Sequence, residues 1–447
     1  MERKIIMSIT LRKFSALFAP LAVLALVVLA PLSASAQFAD QATYIAAPGG
    51  TANAITLAVD NWSINRPGVP IRFLPASQNT GATTVVVNGV GSPIAIKKQT
   101  GNGLIALTGG EINTSEIAEI VYDGTQWELR APPLAPVPPG GYLTPCQVSS
   151  PSPVSGCTAG YPVVTGDVTS ATTLFYAGMT SNSVPIFNGG QFIATPVTES
   201  QMTLILSSTA NTANNIYDVC IYSNAGTPAI GTMPAWSNSG AGSGARSAAI
   251  AKVQGIWLNS GTVTVTNNNV GVSVAANRCT VIASILIDSV NGQVTLQRSA
   301  GQNRRWAVWN FYNRLPIILK VTDATASWTY TTQTWRPANG STSNSLRVFS
   351  GLPEEPYTIS TSESMTSTAG AHVFVGVGFN NTAAPSGKWG AVFAQASGFQ
   401  DVATGSYIAP PSIGINVVTA LEESQAANIT TWYGTEQWFL LTASWRG

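Results

Sequence analysis

Charge is scarce in this 447-residue chain: Asp, Glu, Lys and Arg make up 9% of it, against roughly 25% in an ordinary soluble domain. Basic and acidic residues nearly balance, 21 to 20, so nothing in the charge draws the chain to nucleic acid or to an anionic membrane surface. Histidine is rarer still. His372 is the single one, which excludes a multi-histidine metal site and leaves most His-centred acid–base chemistry without its residue. No G-x-S-x-G elbow and no CxxC pair occurs, so a hydrolase elbow and a structural zinc site are both unsupported. Apolar residues, at 45%, are not lacking, and they exclude a disordered polyampholyte. Ser, Thr, Asn, Gln and Gly take the place of charge, and the chain holds 41 Gly and 27 Pro. Such a chain can bury a large core and still show water a neutral, polar surface.

The first 36 residues read as an export signal. Arg3, Lys4, Arg12 and Lys13 make a basic start, and an apolar stretch runs from Phe14 to Ala30, broken only by Ser15 and Pro20. Ala34-Ser35-Ala36 then places small residues where signal peptidase needs them, so cleavage is expected between Ala36 and Gln37. The alternative is an uncleaved anchor, because the stretch is just long enough to span a bilayer; Pro20 and the Ala-x-Ala ending favour cleavage. No other stretch is long and apolar enough to span a membrane as a helix, so an exported product with no membrane partner after cleavage is expected.

Export gives the four cysteines, Cys146, Cys157, Cys220 and Cys279, a possible structural use. Four cysteines pair in three ways, and sequence alone does not choose. Cys146 and Cys157 bracket a short Ser/Pro/Gly loop that closes easily, a bridge worth ~3 kcal/mol. Cys220 and Cys279 both fall in strand-like runs, IYDVCIY and CTVIASILI, which suggests a second bridge. Two buried free thiols are the alternative.

Organisation follows from the turn residues. Residues 37–130 contain short strand-like runs, at Ala54–Val59, Ile71–Leu74, Thr83–Asn88, Pro93–Lys97, Glu119–Tyr122 and Gln126–Leu129, with turn signals at Asn88-Gly89 and Asp123-Gly124. Residues 131–141, APPLAPVPPGG, form a Pro-rich spacer, extended at about 3.1 Å per residue where it is polyproline II. Residues 142–447 return to short strands, among them Ile216–Tyr222, Val281–Ile287, Leu315–Val321, Ser327–Thr331 and His372–Phe379. Many short strands at this spacing predict an all-β fold: a small N-terminal β module, a linker, and a large jelly-roll or β-sandwich-like module. Trp306–Arg314 fits a short helix or a strand equally well.

No catalytic residue, metal ligand or cofactor site is assigned. His372 lies in the run AHVFVGVGF, sharing a strand face with Phe374, Gly376 and Gly378, a setting for a solvent-facing or core histidine more than for a triad base. A glycosidase needs two carboxylates flanking a bond. The pairs Glu354-Glu355 and Glu422-Glu423 are adjacent, and neighbours on a strand point to opposite faces.

Aromatics are the more telling feature: 12 Trp, 12 Tyr and 14 Phe. They gather at Trp306, Trp309, Phe311 and Tyr312, at Trp328, Tyr330 and Trp335, and at Trp432, Tyr433, Trp438 and Trp445. Flat rings flanked by amides suit sugar recognition, by stacking and hydrogen bonding. Most such rings serve a core or a subunit interface instead, and sequence does not pick out which are exposed.

The stretch PGVPIRFLPASQNTGATTVVVNGVGSPIAIKK, followed by GEINTSEIAEIVYDGTQWELR, resembles a module of bacteriophage tail fibres. The match covers nearly all of residues 54–130. In the large module, YDVCIYSNAGTPAI, WNFYNRLPIILKVTDATASWTYTTQTWRPANGS and TTWYG resemble phage-encoded structural proteins. The resemblance carries no catalytic residues over. It implies a homotrimeric or otherwise homo-oligomeric β-rich appendage that binds a cell-surface glycan or receptor, with apolar strand faces buried between chains. The expected function is therefore a non-enzymatic attachment protein, virion-associated or, as the export signal favours, a secreted bacterial adhesin. A secreted polysaccharide-degrading enzyme is the third reading, and its sign would be two carboxylates facing each other across an aromatic groove.

Overall fold

A computed structural model describes residues 43–447, except 46, 101–102, 115, 131–135, 150–153, 190–191 and 426–427. The expected export signal and its cleavage point at Ala36 and Gln37 lie outside the described residues, as does the first half of the proline spacer. Among the described residues there is no α-helix: the elements are strands and one 3-10 turn, Ala338–Gly340. The fold is all-β and sandwich-like.

Alternation in the sequence becomes alternation in burial. Thr83–Val87 turns Thr83, Val85 and Val87 inward, Pro316–Val321 buries Ile317, Leu319 and Val321, and Phe439–Arg446 buries every second residue from Phe439 to Trp445. Residues 43–129 form a nine-stranded sheet with mixed pairing. Its apolar side chains make their own core around Ile71, Phe73, Ile96, Ile120 and Trp127, each fully buried. The six runs expected from sequence are all strands here, with ends shifted by at most three residues. Asn88 and Gly89 do take positive φ, 50° and 69°, but they do not close a tight hairpin, since Val85 pairs with Ile94 beyond a longer loop. The Asn88 side chain is engaged elsewhere, accepting from the Val59 amide at 2.7 Å and donating to the Trp62 carbonyl at 3.1 Å.

The proline segment ends one residue earlier than expected, because Gly141 already belongs to a strand, Gly141–Thr144. Beyond it lies an eight-stranded sheet centred on the antiparallel pair Ile216–Asn224 and Cys279–Leu286. A two-residue hairpin turn at Ala225-Gly226 (φ 49° and 90°) leads from Ile216–Asn224 into Thr227–Ala235. Both disulfides are present, Cys146–Cys157 and Cys220–Cys279, the second pinning the two central strands together. Trp306–Arg314 resolves into a short strand, Val308–Asn310, followed by a turn.

Two six-stranded sheets complete the chain. One contains Ser345–Ser350, Gly414–Ser424, His372–Phe379 and Gly390–Phe393; the other contains Pro316–Val321, Phe439–Arg446, Tyr357–Ser367, Thr430–Tyr433 and Ser327–Tyr330, with Phe399–Ala409 paired to Tyr357–Ser367. Val373, Val375 and Val418 from the first pack in one core with Ile359, Met365, Trp432 and Leu441 from the second. That core is continuous with the interior of the eight-stranded sheet. Asp218, Arg246 and Ser284 tie the regions together. The buried Asp218 carboxylate accepts from Arg246 Nε at 2.7 Å, from Ser284 at 2.6 Å and from Trp236 Nε1 at 3.1 Å. Arg246 also donates to the Gly351 carbonyl at 2.6 Å.

Candidate ligand-binding surface

Most of the tryptophans flagged in the sequence are interior. Trp306, Trp309, Trp432 and Trp445 are buried, and so is Trp328. Trp438 stays partly exposed, and Tyr161 and Phe399 are exposed singly; two further exposed rings, Trp389 and Phe393, stand together on the outer face of one sandwich sheet. His372 and Phe374 share the outer face of His372–Phe379, because the intervening Val373 points to the core. The neighbouring strand Gly390–Phe393 pairs His372 with Phe393 and Phe374 with Ala391. Phe393 therefore stands on the same face, and Trp389, just before the strand, meets it by the same period of two.

These rings touch in sequence across the sheet. His372 stacks on Phe374 at 6.2 Å and 10°, Phe393 lies 4.9 Å from His372, and Trp389 meets Phe374 edge-on at 5.1 Å and 81°. Trp335 closes one side, 6.4 Å from Phe374. Gly376 makes room for it: a Cβ there would fall 2.8 Å from Pro385 and 3.2 Å from the Trp335 ring. Trp389 and Phe393 remain 48% and 52% exposed on this face. Polar groups flank them. Glu423 stands opposite Phe374 on Gly414–Ser424, where partial burial raises its pKa, and the Gln425 side chain accepts from the His372 amide at 2.8 Å.

The structure places the other sequence candidates away from this face or away from chemistry. His372 is exposed and packed between rings. Glu354 and Glu355 sit in a turn, not on a strand, and both reach the same Arg314 guanidinium, so they form an ion-pair cluster. Glu422 and Glu423 do point to opposite faces. Glu422 is fully buried, accepting from Arg336 Nε at 2.7 Å and from Trp328 Nε1 at 2.8 Å. From the opposing sheet Glu363 enters the same interior, and neither of its carboxyl oxygens has a hydrogen-bond partner. Burial, then the Glu422 charge, raises its pKa well above the usual carboxylate range; the nearby Thr361 hydroxyl opposes this only in part. Two carboxyls thus face one another, but inside a core and not across a groove. A polymer substrate has no path to them. Among the described residues, no set of three His, Cys, Asp or Glu side chains is gathered to hold a metal ion.

Sequence reasoning did not single out Trp389 and Phe393. The signal was present in WGAVF, where Trp389, Ala391 and Phe393 alternate with small or aliphatic residues beside the His-x-Phe of the paired strand. What sequence lacks is the knowledge that this strand lies at the sheet edge.

No protein-family model matches the chain, and no curated protein matches it significantly. Among solved structures, the infectious bursal disease virus Gx strain structure aligns at a TM-score of 0.18 and 10% identity, covering 63% of this chain and 72% of that one. The insecticidal delta-endotoxin Cry8Ea1 from Bacillus thuringiensis aligns at 0.17 and 8%, covering 63% of this chain and 50% of the toxin. A Bacillus thuringiensis Cry1Da tryptic core variant aligns at 0.15 and 8%, covering 60% and 51%. The chain thus spans about half the length of the two toxins, and at these scores the likenesses assign neither a family nor a function.

Proposed function

We propose that this chain is a non-enzymatic attachment protein of the tail-fibre kind that binds cell-surface glycan as a homo-oligomer. The observation that carries the reading is the row of rings formed by exposed Trp389, half-buried Phe374, exposed His372 and exposed Phe393, with Glu423 and Gln425 at its edge. A pyranose has one face of C–H groups and a rim of hydroxyls. Rings cover the first and the carboxylate and amide accept from the second. Exposed Val402 and Ile408 on the outer side of Phe399–Ala409 offer apolar surface that subunit contacts would cover. The neutral surface suits a protein that selects by shape and hydroxyl pattern, since it adds little long-range steering.

A secreted bacterial adhesin is the second reading, favoured by the two disulfides, which fit an oxidising compartment. The described residues contain no helix long and apolar enough to cross a membrane. Both readings share the aromatic face and differ in what carries it. Polysaccharide cleavage is the weakest of the three, because the facing carboxyls Glu363 and Glu422 are sealed from solvent. A glycan array read for retention, with reducing ends assayed in parallel, tests the shared claim: retention without release supports attachment, and release of reducing ends overturns it.

A further inference from the structure

A cleft of about 720 Å³ opens where the hairpin Ser183–Phe187 and Phe192–Pro196 packs on the end of the eight-stranded sheet. This lies within the ~300–1,000 Å³ of ordinary small-ligand sites. Phe187, Ile193 and Val272 give it apolar walls, and Asn224, Ser273 and Thr195 bring amide and hydroxyl groups to it. One charged side chain lines it, Arg278, and no carboxylate does. Among the described residues Arg278 makes no ion pair, whereas most other arginines here are matched to Asp or Glu.

The guanidinium is held in place without being neutralised. Nη1 donates to the Phe187 carbonyl at 3.3 Å, leaving donors of the planar fork free. Gly189, at φ +98°, allows the approach: a Cβ there would lie 2.3 Å from Nη2. The backbone beneath is fixed as well. Cys279, the next residue, donates its amide to Asn259 Oδ1 at 2.8 Å and is bridged to Cys220, and the Asn259 amide holds the Ala275 carbonyl at 2.8 Å. The Thr280 hydroxyl ties the overlying hairpin down through the Pro185 carbonyl. A preset, half-buried guanidinium fork recognises a planar oxyanion with two parallel hydrogen bonds. The amide and hydroxyl groups around it match further hydroxyls, and the apolar walls match a C–H face.

We infer that this cleft is a second binding site, separate from the aromatic face, for an oligosaccharide bearing a carboxylate. Arg278 takes the carboxylate, while Asn224, Ser273 and Thr195 take hydroxyls.

The test uses the full chain with its disulfides intact, titrated calorimetrically with oligogalacturonate, oligoglucuronate and sialyllactose. The methyl ester of each, a heparin-derived sulfated oligosaccharide and octanoate are the comparison probes. At least one carboxylated sugar should bind, and its methyl ester should bind at least tenfold more weakly. Arg278→Gln should weaken binding at least tenfold, and Arg278→Lys should weaken it less, since an ammonium keeps the charge but not the fork. Ala275→Glu, at an exposed rim position, should repel the ligand without touching the core, and it covers the case in which the Arg278 variant folds poorly. Trp389→Ala should leave this binding unchanged, so failure of this site and failure of the aromatic face are distinguishable. The inference is overturned if no carboxylated sugar binds, if ester and acid bind equally, if the sulfated sugar or octanoate is preferred, or if Arg278→Gln and Ala275→Glu bind as the parent does.

Discussion

Glu363 and Glu422 enter one interior from opposite sheets of the sandwich, and only Glu422 has hydrogen-bond partners there. Glu422 is the member suited to hold the negative charge, beside Arg336. Glu363, with no donor on either oxygen, is the member suited to hold the proton. Burial raises both pKa values, the Glu422 charge adds to the rise of Glu363, and Arg336 restrains that of Glu422.

A pH dependence follows, with a definite sign. A carboxyl whose pKa is raised on folding binds its proton more tightly in the native state, so it favours the fold below its unfolded value. That contribution is lost as pH rises from the ordinary 4.5 through the raised folded values. The nine-stranded sheet should behave oppositely. Burial works to raise the Glu111 pKa, but the Lys98 ammonium and hydrogen bonds from Asn79 and Thr108 outweigh it and hold Glu111 at about 2. Its contribution is present above 4.5 and lost as pH falls toward 2. Amide exchange read at pH 3, 5 and 8 should show the sandwich strands best protected at pH 5 relative to 8, and residues 43–129 best protected at 5 relative to 3. Glu363→Gln should flatten the first dependence and leave the second alone.

The Asp218–Arg246 pair should be costly to break. Both side chains are nearly buried, 3% and 12% exposed, and removing one partner of such a pair costs roughly 3–5 kcal/mol because the other is left charged and unmatched. Asp218→Ala should lower the urea midpoint accordingly. The double variant with Arg246→Ala should lose less than the sum of the two single losses.

The two disulfides should differ in weight. They close loops of 11 and 59 residues, and loop-closure entropy then gives ~3 kcal/mol for Cys146–Cys157 and ~4 kcal/mol for Cys220–Cys279. Paired Cys→Ala variants compared in denaturant should rank in that order. The second pair should also weaken binding in the Arg278 cleft, because Cys279 carries the backbone next to it.

How much of this was legible depended on periodicity. His372–Phe379 matches its expected limits, and the six runs in residues 37–130 are all strands, since alternating apolar residues leave only one pleated register that buries them. The long strands Tyr357–Ser367 and Phe399–Ala409 went unseen because YTISTSESMTS and FQDVATGSYIA are rich in Ser, Thr and Gly. Their burial comes from sheet partners, not from their own apolar content. The same reason hid Glu363, a carboxyl in a serine-rich run that only the opposing sheet turns into a buried acid. The Arg278 cleft joins Phe187 and Arg278, 91 positions apart, a juxtaposition that no local pattern encodes.

Trp389→Ala and Phe393→Ala should each weaken glycan retention about tenfold. As half-exposed rings at a sheet edge, they should cost less than about 1 kcal/mol of stability, in keeping with surface positions. A melting curve beside each binding curve checks that the loss is local. His372→Ala should also weaken retention, and it should have no effect on reducing-end release.

The most direct test of the account is retention of the intact protein on a glycan array, run side by side with Trp389→Ala and with a reducing-end assay. The account predicts that the parent chain is retained on some glycans, that the variant is retained much less, and that no reducing ends appear. Equal retention of the two proteins, no retention of either, or release of reducing ends by the parent would contradict it.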